Sequence, residues 1–183
     1  LDMDGDDMRY SVLTYAASEK ANAMGPSTID PRTGEILEAD IIWWHNVQSL
    51  ISEWITVQTG AVDPRARSLE LPIELIGDAV RFVACHEVGH SLGLRHNMMA
   101  SAAYPTDSLR SASFTSRVGG TSASIMDYAR FNYVAQPGDN VKVMSPNIGP
   151  YDLMAIEWGY RWYPTGTDEE QVLSEFISKY KGK

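Results

Sequence analysis

The spacing of apolar residues divides the chain into a short series of elements. Residues 9–16 are rich in β-branched and aromatic side chains and predict a strand. Residues 22–34 hold Gly-Pro-Ser and Asp-Pro-Arg-Thr-Gly, a loop-and-turn composition, and residues 35–44 predict a second strand. Val47, Leu50, Ile51, Trp54 and Ile55 recur at helical spacing, which predicts a helix over residues 47–57 and then a loop over 59–68. A longer helical pattern opens at Pro72, a favoured first-turn position for proline. It carries Leu75, Ile76, Ala79, Val80, Val83 and Ala84, runs to Leu92 and meets Gly93 as a stop. Residues 97–124 are rich in Ser, Ala and Thr and show no period; a structureless segment of that length is unusual and often functional or mobile. Two more helices are expected. One starts near Pro150 and covers residues 151–158. The other has Thr167 as N-cap with Glu170 three residues on, a capping box, and runs to about Lys179.

No internal repeat and no linker interrupts this order, and 183 residues suit one domain built around one core. A content of 44% hydrophobic and 21% charged residues excludes general disorder. The net charge of -9 repels phosphate backbones and excludes nucleic acid as a partner. No apolar run approaches the roughly 20 residues that span a bilayer. One cysteine excludes an intrachain disulfide and leaves the compartment open. The first residues hold no initiator methionine, basic start or apolar signal core. The expectation is a piece of a longer polypeptide, with further domains and any targeting segment elsewhere in the parent chain. Asp2, Asp4, Asp6 and Asp7 lack the Gly and Glu of an EF-hand calcium loop, so a solvated terminus is expected there.

Three of the four histidines fall in one stretch, His86-Glu87-Val88-Gly89-His90-Ser91-Leu92-Gly93-Leu94-Arg95-His96. A four-residue spacing on a helix puts His86 and His90 on one face, one turn apart. Two neutral imidazoles held in this way can bind one divalent metal. Glu87 lies beside that metal and is placed to take a proton from a water that the metal activates. Gly93 can adopt positive φ and turn the chain sharply, bringing His96 back as a third ligand. Three protein ligands leave one position open, the mark of a catalytic zinc site. The bland alternative is ordinary core or surface histidines. HExxHxxGxxH fixes five positions in a helix-then-glycine context, which argues against it. His45 reads as a loop or helix-start residue, and Cys85 as a small apolar residue facing the core.

This stretch resembles the zinc signature of the metzincin metallopeptidases. The resemblance implies a methionine turn downstream, and Ser124-Ile125-Met126-Asp127-Tyr128 fits it. Met126 then forms an apolar floor beneath the zinc site. Tyr128 matches the tyrosine that stabilises the transition state in the astacin and serralysin branches; a tyrosine packed near the cleft without a catalytic role is the alternative. The segment from Asp152 resembles the helix after the methionine turn in serralysins and matrixins. Residues 35–44 fall where the family has the edge strand that rims the cleft and pairs with extended substrate. Coverage runs from about Arg9 to Trp158, and the chain looks most like the zinc-dependent metalloproteases of large bacterial proteins containing a domain of unknown function.

The resemblance implies an α+β metzincin-like fold: a small twisted mixed sheet, a long active-site helix and a mostly irregular or helical C-terminal subdomain. Residues 1–183 then form a single catalytic domain, with the edge strand and active-site helix in residues 1–93 and the methionine turn in residues 94–183. The family's opening strand, long helix and next strand are expected to be missing from this piece. Only His45 is left over, too few for a second, matrixin-like zinc site. The implied function is a zinc-dependent endopeptidase acting on a peptide or protein substrate, with Glu87 as general base, Tyr128 as oxyanion donor, and His86, His90 and His96 holding Zn2+. A zinc-containing binding or scaffold module of a larger cell-surface protein, with little hydrolytic activity, is the second reading. An exopeptidase of the same fold is a third. Residues 97–124 are expected to line the primed side of the cleft. Arg95 and Arg117 offer charge for acidic residues, although exposed arginines are usually only solvated. The family resemblance also implies an extracytoplasmic location.

Overall fold

The computed structural model describes residues 4–181, so Asp2 of the acidic opening lies outside the described residues. Among the described residues the arrangement is mixed α+β, with two small sheets and five α-helices. β1 (Leu13–Ala16) runs parallel to β5 (Ile41–Trp44), and β2 (Ala23–Met24) pairs antiparallel with the other side of β5. β3 (Ser27–Ile29) and β4 (Ile36–Ala39) form a separate antiparallel hairpin. Its turn is the Asp-Pro-Arg-Thr-Gly segment, closed by Gly34 N–H donating to the Asp30 carbonyl at 2.8 Å, with Gly34 at φ +78°.

The single strand expected over residues 35–44 is therefore two strands in two sheets. Asp40 separates them. Its N–H donates to the Pro26 carbonyl at 3.1 Å, and its carboxylate accepts the Val12 N–H at 2.8 Å. Residues 41–44 also do not form an edge, because β5 is paired on both sides. The edge that lies against the long helix is β2, two residues long and too short for any period to reveal.

α1 (Val47–Thr59) and α2 (Ile73–Ser91) follow the apolar spacing closely. Pro72 caps α2 instead of occupying its first turn, and Gly93 at φ +86° ends it as expected. Ile51 and Ile55 of α1 and Ala79, Phe82 and Val83 of α2 form the core with Trp43 of β5, and Ile125 and Met126 close it from below. Cys85 packs against this core, half-buried. His45 sits in the turn before α1, with its Nδ1 against the Tyr15 hydroxyl.

Residues 97–124 are more ordered than their composition predicts. They hold 3-10 turns at Ala100–Ala103 and Thr106–Arg110 and the helix α3 (Ala112–Val118). Two tethers bring the segment to the methionine turn: Asn97 N–H donates to the Met126 carbonyl at 3.0 Å, and Ser101 N–H donates to the buried Asp127 carboxylate. α4 (Pro150–Tyr160) begins where expected. α5 (Glu169–Ser178) is capped one residue later than predicted, by Asp168, whose carboxylate accepts the Gln171 N–H at 3.1 Å. Asp168 and Gln171 repeat the cap-and-partner spacing of Thr167 and Glu170 one register on, and the carboxylate is the stronger acceptor. No helix among the described residues is long and apolar enough to cross a membrane.

Candidate metal centre

The last turn and a half of α2 carries His86, Glu87 and His90 on the face turned toward Tyr128 and the methionine turn. Gly93 then reverses the chain, so that Leu94 N–H donates to the Gly89 carbonyl at 2.9 Å and His96 swings back beside His90. One ring nitrogen from each of His86, His90 and His96 lies within 4.8 Å of the others. The structure thus brings together the three histidines that the spacing singled out.

Two of these rings have fixed tautomers. His86 Nδ1–H donates to the Ile125 carbonyl at 2.8 Å, and His90 Nδ1–H donates to the Leu94 carbonyl at 2.9 Å. Each neutral ring then presents its Nε2 lone pair to the shared centre. His90 Nε2 and His96 Nε2 are 3.1 Å apart. Two nitrogens bound to one tetrahedral zinc at about 2.0–2.1 Å are about 3.3–3.4 Å apart, so the spacing fits. Lone pairs aimed at one another repel unless a cation lies between them, and carbonyl-oriented imidazoles are the usual outer support of zinc ligands. The donor set therefore fits the metal. Burial holds His86 and His96 below the ordinary histidine range, which keeps them neutral and ready to ligate.

Glu87 is buried, and that burial raises its carboxyl above the usual range, opposed by His90 and by a hydrogen bond from the Gly25 backbone. Gly25 follows β2 and touches α2 closely. A β-carbon there would lie 2.8 Å from the Glu87 carbonyl oxygen and 3.1 Å from His90 Cβ, so only glycine lets the strand approach. Tyr128 is half-exposed, and its hydroxyl lies 3.0 Å from His96 Nε2. Burial raises its phenol too, with Glu87 adding to the effect.

Met126 is fully buried under α2. The turn that carries it hangs on Asp152, a residue that sequence reading placed only at the start of a helix. The buried Asp152 carboxylate accepts from Ser124 Oγ at 2.5 Å, from Ile125 N–H at 2.7 Å and from Gly149 N–H at 2.8 Å. Since the Ile125 carbonyl orients His86, Asp152 acts on the metal centre through a single residue, Ile125, whose N–H it holds. The only advance signal was a carboxylate at the third position of a helix that starts Gly-Pro, where it caps its own N-terminus.

A cavity of about 170 Å3 opens beside His86 and Glu87, with Trp54, Tyr128 and Arg130 on its wall. Arg95 and Arg117, the two arginines considered from sequence, are not on that wall. Arg117 stacks instead on Phe114 at 5.1 Å. Arg130 was missed, although it stands only two residues after Tyr128. Tyr128 also borders a second cavity of about 380 Å3 on its other side.

A family model described as Met-zincin matches residues 68–183. No curated protein and no solved structure matches the chain.

Proposed function

The chain belongs to the Met-zincin family and is a zinc metallopeptidase-like domain, and we propose that it works as a zinc-dependent endopeptidase on peptide or protein substrates. One observation carries the proposal: two imidazoles with fixed tautomers aim their lone pairs at one point shared with His96, beside a desolvated carboxylate on the same helix. His86, His90 and His96 would hold the metal. When bound, zinc supplies a Lewis acid and lowers the pKa of water toward neutrality.

The chain's own residues do the rest. Glu87 accepts the proton of the attacking water at its carboxylate and passes it to the nitrogen of the leaving amine. Burial raises its pKa, and a more basic carboxylate takes the proton more readily from the water. Tyr128 donates its hydroxyl proton in a hydrogen bond to the oxygen that gains charge as the carbonyl is attacked. Gly25 brings the end of β2 close against Glu87 and His90, and the free side of β2 offers backbone groups to which an extended peptide can add.

The deciding experiment replaces Glu87 with Ala and measures bound zinc and peptide cleavage together. Zinc should remain while chelator-sensitive turnover of a fluorogenic peptide library disappears. Cleavage at the wild-type rate would remove Glu87 from the mechanism. Peptide binding by the wild-type protein without chelator-sensitive turnover would make the domain a zinc-containing binding module.

A further inference from the structure

Among the described residues Arg130 is the one Lys or Arg side chain lining the cavity beside Glu87, and its neighbours fix its position there. Its guanidinium lies 3.7 Å over the Trp54 ring and 5.5 Å from the Tyr128 ring centroid. Its backbone sits in the left-handed region at φ +56°, which a non-glycine residue keeps only when its surroundings impose it. Those surroundings are visible. Thr121 Oγ1 donates to the Arg130 carbonyl at 2.8 Å, and Phe131 N–H donates to Gln58 Oε1 at 3.0 Å.

What the guanidinium lacks is an anion. Arg9, Arg32, Arg65, Arg81, Arg110 and Arg161 each pair with a carboxylate. Among the described residues Arg67, Arg95, Arg117 and Arg130 have no ion pair, and of these four Arg130 is the one that lines the cavity beside Glu87. Stacking on Trp54 uses the face of the guanidinium and leaves its N–H edges to bond in plane, the geometry that grips a carboxylate in two places. The remaining walls, including Val47, Leu50 and Phe82, are apolar and strengthen such a bond by excluding water.

We propose that Arg130 makes this cavity a carboxylate-binding subsite, so that an acidic side chain or a free C-terminal carboxylate of the substrate selects the bond presented to Glu87. This rests on the peptidase reading and specifies its substrate class. A carboxylate reaching Arg130 fills a 170 Å3 cavity that opens directly onto His86 and Glu87. The subsite thereby joins recognition to the reacting atoms without any moving part. An acidic side chain implies an endopeptidase that cleaves next to Asp or Glu. A terminal carboxylate implies cleavage near the end of a chain.

The test uses the zinc-loaded protein and matched peptides that differ only by Glu against Gln, or by a free against an amidated C-terminus. Wild type should favour one carboxylate form, and Arg130→Gln should reduce that kcat/KM ratio by about 10- to 100-fold. Arg130→Lys, which keeps a cation, should retain part of the ratio, and circular dichroism with zinc content confirms that both variants fold. Preference for internal Glu identifies the side chain as the source; preference for the free terminus identifies the terminal carboxylate. Binding of the same peptides is read by fluorescence anisotropy in zinc-loaded Glu87→Gln. Turnover with Glu/Gln and free/amide ratios near one overturns the subsite and leaves the peptidase reading intact. Arg130-dependent, carboxylate-selective binding without wild-type turnover supports the subsite and overturns the peptidase. Neither turnover nor selective binding overturns both.

Discussion

A β-carbon added to Gly89 would lie 2.3 Å from the Sδ of Met126. Met126 is fully buried, so any shift of its sulfur takes place within the packed core. Gly89→Ala should cost about 1–3 kcal/mol by overpacking, a Tm loss of about 2–4 °C per kcal/mol in a chain of this size. Thermal melts of Gly89→Ala in the Met126→Ala background should recover part of that cost, because the new methyl then has room. Equal costs in both backgrounds would mean that the contact is not the cause.

Asp152→Ala would strand three donors, Ser124 Oγ–H, Ile125 N–H and Gly149 N–H, in a buried site. At about 1–3 kcal/mol for each unsatisfied group, the loss should reach at least about 3 kcal/mol in a denaturant titration. Zinc affinity should also fall by about 10- to 100-fold, since the turn that aims His86 loosens. Asp152→Asn keeps one acceptor and should lie between Ala and wild type on both measures. A folded Asp152→Ala protein with wild-type zinc affinity would disprove the link between Asp152 and His86.

These two residues also mark what the sequence disclosed. The pairing of His86 with His90, the extent of α2 and the stop at Gly93 follow from helical spacing and glycine chemistry, which are local rules. Resemblance pointed to Met126, but no local rule indicates that Gly89 must be bare to fit it. The Asp152 anchor depends on contacts across 27 and 28 residues. β2 escaped notice because two residues carry no period. Residues 35–44 read as one strand because Asp40, one of three acidic residues in that run, breaks it only through distant partners at Val12 and Pro26. Arg130 faces a cavity built by α1, α2 and β2, which no linear pattern describes.

Tyr128→Phe removes only a hydroxyl from a half-exposed ring, so the fold and zinc content should stay unchanged. If Tyr128 donates to the oxyanion, kcat should fall by about 10²–10³-fold, with a much smaller change in KM. Steady-state kinetics on a cleaved peptide check this. An unchanged kcat would leave Tyr128 as a packing residue of the cleft.

Acid should weaken the metal-free protein and the metal centre together. Burial holds His86 and His96 below the ordinary value of 6.5, so the unfolded chain takes up protons before the folded one does. Stability is then constant above about pH 6.5 and falls as pH drops through the folded values. Glu87, raised by burial, contributes the opposite slope in the acid range, so the melts are best compared in Glu87→Gln. Zinc content measured in parallel should fall over the same range, because protonated imidazole cannot ligate. A flat stability profile and retained zinc from pH 7 to pH 5 would contradict this assignment.

His86 takes its orientation from a carbonyl 39 residues further along the chain. A growing polypeptide therefore holds all three metal ligands well before it can aim them. The segment from Ser124 must fold under α2, and Gly149 and Asp152 must close behind it, before the His86 ring is fixed. During vectorial synthesis, N-terminal segments emerge first and long-range contacts form last. Competence to capture metal tightly is thus a late event in the life of the chain, timed by the emergence of α4. The zinc signature alone, as an isolated helical peptide, should bind metal loosely and without the fixed tautomers of the folded domain.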